Sequence, residues 1–140
     1  MKKIKNVLNS KRMPERPVKQ CAVVVFTNQT ALPWLRLLSC GFRHCFVAVE
    51  ADCGWIVFDP LSNVLKTNSL AAISSQELAN WYRANGYRVM ISYVRDPLMR
   101  PAPWALFTCV EAVKRLLGIH SRWVVTPWQL WKFLNNENNP

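Results

Sequence analysis

Apolar positions along the chain change their period several times, and each change marks an element. Gln20–Thr27 (QCAVVVFT) is a continuous β-branched apolar run bounded by polar residues, the pattern of a buried strand. Leu32–Leu38 places Trp34, Leu35 and Leu38 at helical spacing before Cys40-Gly41, which predicts a short helix. His44–Ala51 (HCFVAVEA) and Trp55–Asp59 (WIVFD) flank Asp52-Cys53-Gly54, a turn-prone tripeptide, and read as a β-hairpin. Pro60 ends its second strand because it cannot donate to a ladder.

Ser74 followed three residues later by Glu77 is a capping pattern, so Ser74–Asn85 reads as a helix closed by Gly86. Tyr87–Val94 (YRVMISYV) alternates as a strand does. Pro97, Pro101 and Pro103 make Arg95–Pro103 a connection. Thr108–Leu117 (TCVEAVKRLL) predicts a helix ended by Gly118. Thr126-Pro127 before WQLWKFL combines a Thr cap with Pro at the first helical position of a short amphipathic helix, and residues 135–140 are expected to fray. There is no internal repeat. The order strand, helix, hairpin, helix, strand, helix, helix predicts an α+β fold: a mainly antiparallel sheet of about four strands with helices packed on one side.

Composition sets the domain count. A chain of 140 residues, 51% apolar and with seven Trp, fills one core, expected over residues 20–134. The formal charge of +10 suggests nucleic acid until it is placed along the chain, because residues 1–19 hold seven of the 18 Lys and Arg and a single Glu. That basic arm has little apolar area to bury and is expected to be mobile or loosely docked. It is either a plain solvated arm or a weak contact for nucleic acid or an anionic surface. The first residues lack the apolar core of a secretory signal, and no run of about 18 apolar residues suggests a membrane span, so a cytoplasmic protein is expected.

Five cysteines (Cys21, Cys40, Cys45, Cys53, Cys109) form no CxxC pair, and their odd number favours free thiols. A metal site on Cys40, His44, Cys45 and Cys53 is not expected, since His44 and Cys45 are strand neighbours and point to opposite faces. Cys109 is different. Thr108-Cys109-Val110-Glu111 fits a capping box, with Thr108 capping the third-position amide and Glu111 reaching back to the Thr108 amide. Cys109 then opens a helix, where unpaired amides and the helix dipole favour a thiolate. Two other readings stay open: a helix starting at Pro103, which weakens that field, or a buried structural cysteine.

A thiol nucleophile needs a base, and the chain has two histidines. His120 lies about 16 Å along the helix axis from Cys109 at about 1.5 Å per residue, a position suited to capping the far end. His44, at the start of a strand, is the candidate base. If the hairpin turns at Asp52-Cys53-Gly54, residues summing to about 105 or 106 stand opposite one another, which puts Asp59 near Phe46 or Val47 and close to His44. Asp59 either orients the imidazole or simply starts the loop DPLSN; Asn63 in that loop is a weaker substitute. Trp104, Phe107, Trp123, Trp128, Trp131 and Phe133 crowd the segment around Cys109, and core packing with most of them buried is expected over a substrate groove wall.

These residues resemble a known pattern: a His at the start of a strand (GFRHCFVAVE), a second strand ending in a polar residue (GWIVFDP), and later a Cys opening a helix (FTCVEAVKRLLGI). It is the pattern of the circularly permuted papain-like and NlpC-type thiol hydrolases, in which His precedes Cys, and it is similar to short phage-encoded members that continue into a segment like TPWQLWKFL. The resemblance covers roughly residues 20–134. It implies a papain-like core and a cysteine peptidase or amidase acting through an acyl-enzyme without a cofactor, with Cys109 as nucleophile, His44 as base and Asp59 at the third position. Peptides, including cell-wall stem peptides, are the implied substrates, and a host-cell or virion location follows if the chain is phage-encoded. Thr108 before the Cys and the lack of a His just after it depart from the acyltransferase branch and speak against lipid acyl transfer. The alternative is a phage structural or binding module that kept the fold, lost turnover and contacts nucleic acid through its basic arm.

Overall fold

β1 (Cys21–Thr27) is buried at every position, because its unbroken apolar run leaves no side to give to water. The computed structural model describes residues 19–30, 33–61, 64–95 and 107–139. After β1 come β2 (His44–Ala51), β3 (Gly54–Pro60), β4 (Leu65–Leu70) and β5 (Arg88–Tyr93). They form one sheet in the order β4-β3-β2-β1-β5, antiparallel at every neighbouring pair. Three α-helices pack on it: α1 (Ser75–Ala84), α2 (Cys109–Leu116) and α3 (Pro127–Asn138). The protein is thus an α+β fold.

The expectation that the helices share one side is corrected. Ala22, Val24, Phe26, Cys45 and Val47 pack with Val110, Val113 and Leu117 of the α2 region and Leu130 and Leu134 of α3. Cys21, Val23, Val25, Ala48 and Val57 face the other way, against Leu78, Ala79 and Tyr82 of α1. Alternate residues of a strand point to opposite faces, so an all-apolar strand needs cover on both.

The sheet also has five strands rather than about four. β4, LKTNSL, carries no apolar alternation and is almost wholly exposed. Among the described residues it is an edge strand that pairs only with β3, from Trp55↔Leu70 to Pro60↔Leu65, held by backbone bonds that composition does not announce. The predicted helix after β1 is a short 3₁₀ turn, Pro33–Leu37. At its other end the chain stays ordered beyond the expected fraying point. α3 runs to Asn138, whose amide donates to Ile91 O at 3.1 Å, and Glu137 pairs with Arg95, so both side chains tie α3 to the β5 region.

The aromatic residues expected inside are mostly outside. Phe107 and Trp123 are 64% and 86% exposed and Trp128 is also exposed; Trp131 and Phe133 are half-buried. Pro127 and, one helical turn apart, Leu130 and Leu134 are the residues that α3 buries. Trp131 still packs edge-on against Phe26, with ring centroids 5.4 Å apart. Among the described residues, no helix is long and apolar enough to cross a membrane. Residues 1–18 of the basic arm, Asn63, Trp104 and the connection through Pro97, Pro101 and Pro103 lie outside the described residues.

Candidate active site

The β2–β3 hairpin brings two side chains together. Ala51 pairs with Gly54 across a two-residue turn at Asp52-Cys53, and the register continues to Val47↔Phe58. Asp59 therefore stands opposite Phe46, on the face that His44 shares. His44 Nε2 meets Asp59 Oδ1 at 2.6 Å. With the carboxylate accepting from Nε2–H, Nδ1 is the nitrogen left to exchange a proton elsewhere.

The third side chain arrives on α2. Thr108 is its N-cap, with extended backbone (φ −118, ψ 167), and its Oγ1 accepts from Glu111 N at 3.2 Å. Cys109 is the first helical residue, so the helix does not start earlier at Pro103. The reciprocal half of the expected capping box is absent. Glu111 instead accepts from Lys114 Nζ at 2.9 Å and from Arg115 Nε at 2.9 Å. The buried Lys114 ammonium needs an anion more than the Thr108 amide does, and it also donates to Val124 O at 3.0 Å. This pair binds the helix to the segment leading into α3.

The far end of α2 is closed by Gly118 at φ 69, with Ile119 N donating to Lys114 O at 2.8 Å, the backbone arrangement of a glycine-terminated helix. His120 lies beyond that end, half-buried.

The Cys109 sulfur lies within interaction range of the Cys45 thiol, the His44 side chain and the Cys45 backbone N–H. Its pKa is lowered to about 5, first by the Cys45 thiol and then by the bond and charge of His44, against a burial effect that opposes ionisation. Burial works against a charged His44, yet the hydrogen bonds and negative charges of Cys109 and Asp59 outweigh it and raise its pKa. Each partner favours the other's charged form, the electrostatic condition for a thiolate–imidazolium pair. The Cys45 thiol moves the opposite way: it is fully buried, and burial pushes its pKa well up.

Cys109, His44 and Asp59 line one cleft of about 1080 Å³. Its walls are largely apolar, with Leu35, Leu38, Phe46, Tyr87, Phe107 and Val125, while Arg43 and Lys66 bring positive charge. Such a mixture of apolar wall and few polar groups is usual for small-ligand sites. Among the described residues, no group of three or more His, Cys, Asp or Glu is placed to hold a metal ion.

Cys45 is the member of the constellation that sequence reasoning missed. As the strand neighbour of His44 it points to the other side of the sheet, the face covered by α2 and α3. The signal was its alternation with Val47 and Val49, which places it on the face where α2 docks; only the docking makes it a neighbour of Cys109. Compared with protein-family models, curated proteins and solved structures, the chain matches none.

Proposed function

We propose that this protein is a thiol hydrolase of the permuted papain-like type, cleaving an amide bond in a peptide or related substrate through a Cys109 acyl-enzyme. The observation that carries the reading is the continuous chain Asp59–His44–Cys109, in which the thiol is poised as a thiolate at the edge of an open cleft. A cysteine sealed under aromatic side chains would instead suit a binding module. Cys109 is half-buried and lines the cleft.

In the proposed cycle the Cys109 thiolate attacks the carbonyl carbon, and the oxyanion that forms faces the free amides of the α2 N-terminus. The His44 imidazolium gives its proton to the leaving nitrogen as the carbon–nitrogen bond breaks, leaving a thioester and a neutral imidazole. That imidazole takes a proton from water, the hydroxide adds to the thioester carbon, and collapse releases the carboxylic acid and the thiolate. Asp59 holds the ring in one tautomer and favours its charged form throughout.

The test is the pH dependence of Cys109 alkylation by iodoacetamide in the folded protein and in His44→Ala. Rapid labelling that persists down to about pH 5 and moves to higher pH in the variant supports the reading and justifies a peptide-substrate screen. Labelling that follows an ordinary thiol near pH 8.5 and ignores His44 overturns it and leaves a binding module.

A further inference from the structure

The hydrolytic cycle gives no chemical part to the second sulfur at the site. Cys45 is wholly buried, in the cluster against which Cys109 packs, and the two thiols lie within interaction range of each other. Both cysteines are free thiols. They come from β2 and α2, 64 positions apart in the chain by their numbers, so their meeting is a property of the folded protein. Of the other three, Cys40 and Cys53 are exposed and Cys21 is buried on the opposite face of the sheet.

We propose that Cys45 is a resolving thiol for Cys109: a peroxide oxidant converts the two into an intramolecular disulfide that closes the site, and a dithiol reductant reopens it. The chemistry uses a different reactivity at each sulfur. The cleft-facing Cys109 thiolate attacks one peroxide oxygen; a sulfur–oxygen bond forms, the oxygen–oxygen bond breaks, and hydroxide leaves to become water, giving a sulfenic acid. The Cys45 sulfur then attacks the Cys109 sulfur; the sulfur–sulfur bond forms, the sulfur–oxygen bond breaks, and hydroxide leaves with the proton of Cys45 as a second water. The two thiols are oxidised by two electrons in all and the peroxide is reduced.

Reversal follows the same asymmetry. An external thiol reaches the Cys109 sulfur from the cleft and expels Cys45, a high-pKa and therefore slow leaving group. The lock consequently opens slowly. It also diverts Cys109 from further oxidation to sulfinic and sulfonic acids, which thiols do not reverse. Disulfide formation rests on the packing of the two thiols together; only its consequence, loss of hydrolysis, rests on the proposed function.

The experiment uses the full chain with Cys40→Ser and Cys53→Ser, treated with hydrogen peroxide as the probe. The expected product has lost the mass of two hydrogen atoms, yields a non-reduced peptide pair joining Cys45 to Cys109, and labels with iodoacetamide about ten-fold or more slowly than the untreated protein until dithiothreitol restores it. Cys45→Ser and Cys45→Ala, each shown to be folded by circular dichroism and compared with its own untreated sample, are expected to gain oxygen mass at Cys109 and to recover no labelling from the sulfinic fraction. Oxygen gain at Cys109 in the protein that retains Cys45, or the same response with and without Cys45, overturns the proposal. Neither result depends on whether His44 controls alkylation, so the two readings fail separately.

Discussion

His44 and Asp59 are 15 residues apart and meet at 2.6 Å because the two-residue turn at Asp52-Cys53 sets the register between β2 and β3. The bond fixes which imidazole nitrogen faces Asp59 and leaves the other for Cys109. Asp59→Asn keeps the shape and removes the charge. We expect kcat on any substrate found for the protein to fall by about 10²–10⁴-fold. The His44 pKa, followed by NMR, is expected to move down, because part of what raises it is gone.

The pH profile of the proposed hydrolysis is expected to be bell-shaped. The lowered thiol supplies the acid limb: Cys109 is a thiolate above about pH 5 and is protonated below it. The raised imidazole supplies the alkaline limb: His44 carries its proton up to a pH above its ordinary 6.5 and loses it beyond. kcat/KM measured across pH 4–10 checks both limbs. An alkaline limb below pH 6.5 would contradict the geometry.

Gly54 closes the turn that brings Asp59 into place. Its φ is +139, and a Cβ added there would lie 2.2 Å from Leu70 O, so neither the backbone nor the space admits a side chain. Gly54→Ala is expected to cost about 1–3 kcal/mol in backbone strain alone, with more from displacement of the β3–β4 edge. Urea unfolding measures the loss, and slower Cys109 labelling shows whether the hairpin register went with it.

Most of what builds the site was legible in the sequence because it is local. The hairpin turn, the Thr108 cap and the glycine stop at Gly118 each depend on a few consecutive residues, and all appear where the pattern puts them. What escaped depends on distant partners. Glu111 lost its capping role to Lys114 and Arg115, a choice made by burial that a capping motif does not encode. β4 escaped because edge pairing is a backbone matter, and the exposed Trp123 and Phe107 because aromatic density does not say which residues of the segments flanking a helix turn to water.

The Glu111–Lys114 pair gives a separate stability test. Both side chains are less than a tenth exposed. Glu111→Leu leaves the Lys114 ammonium buried with only the Val124 carbonyl as a partner and is expected to cost about 3–5 kcal/mol. The double variant Glu111→Leu/Lys114→Met removes both charges and is expected to recover much of that loss. Thermal unfolding of the three proteins reads the difference.

Thr108→Ala removes the hydroxyl that caps the first turn of α2. A loss of about 1 kcal/mol is expected, within the range of about 0.5–2 for such caps. Because Cys109 is the next residue, the same variant should label more slowly with iodoacetamide at pH 6 if the helix start helps to hold the thiol in place. Unfolding by urea and the labelling rate separate the two effects.

The hairpin that holds the acid–base pair and the helix that holds the sulfur are distant segments of the chain, and no local contact activates the thiol. Without α2 in place, the Cys45 and His44 influences that lower the Cys109 pKa are lost. Reactivity appears only when α2 seats against the sheet beside Cys45. The chemical potency of this sulfur therefore reports on the seating of α2 against the sheet, and its labelling doubles as a probe of that packing.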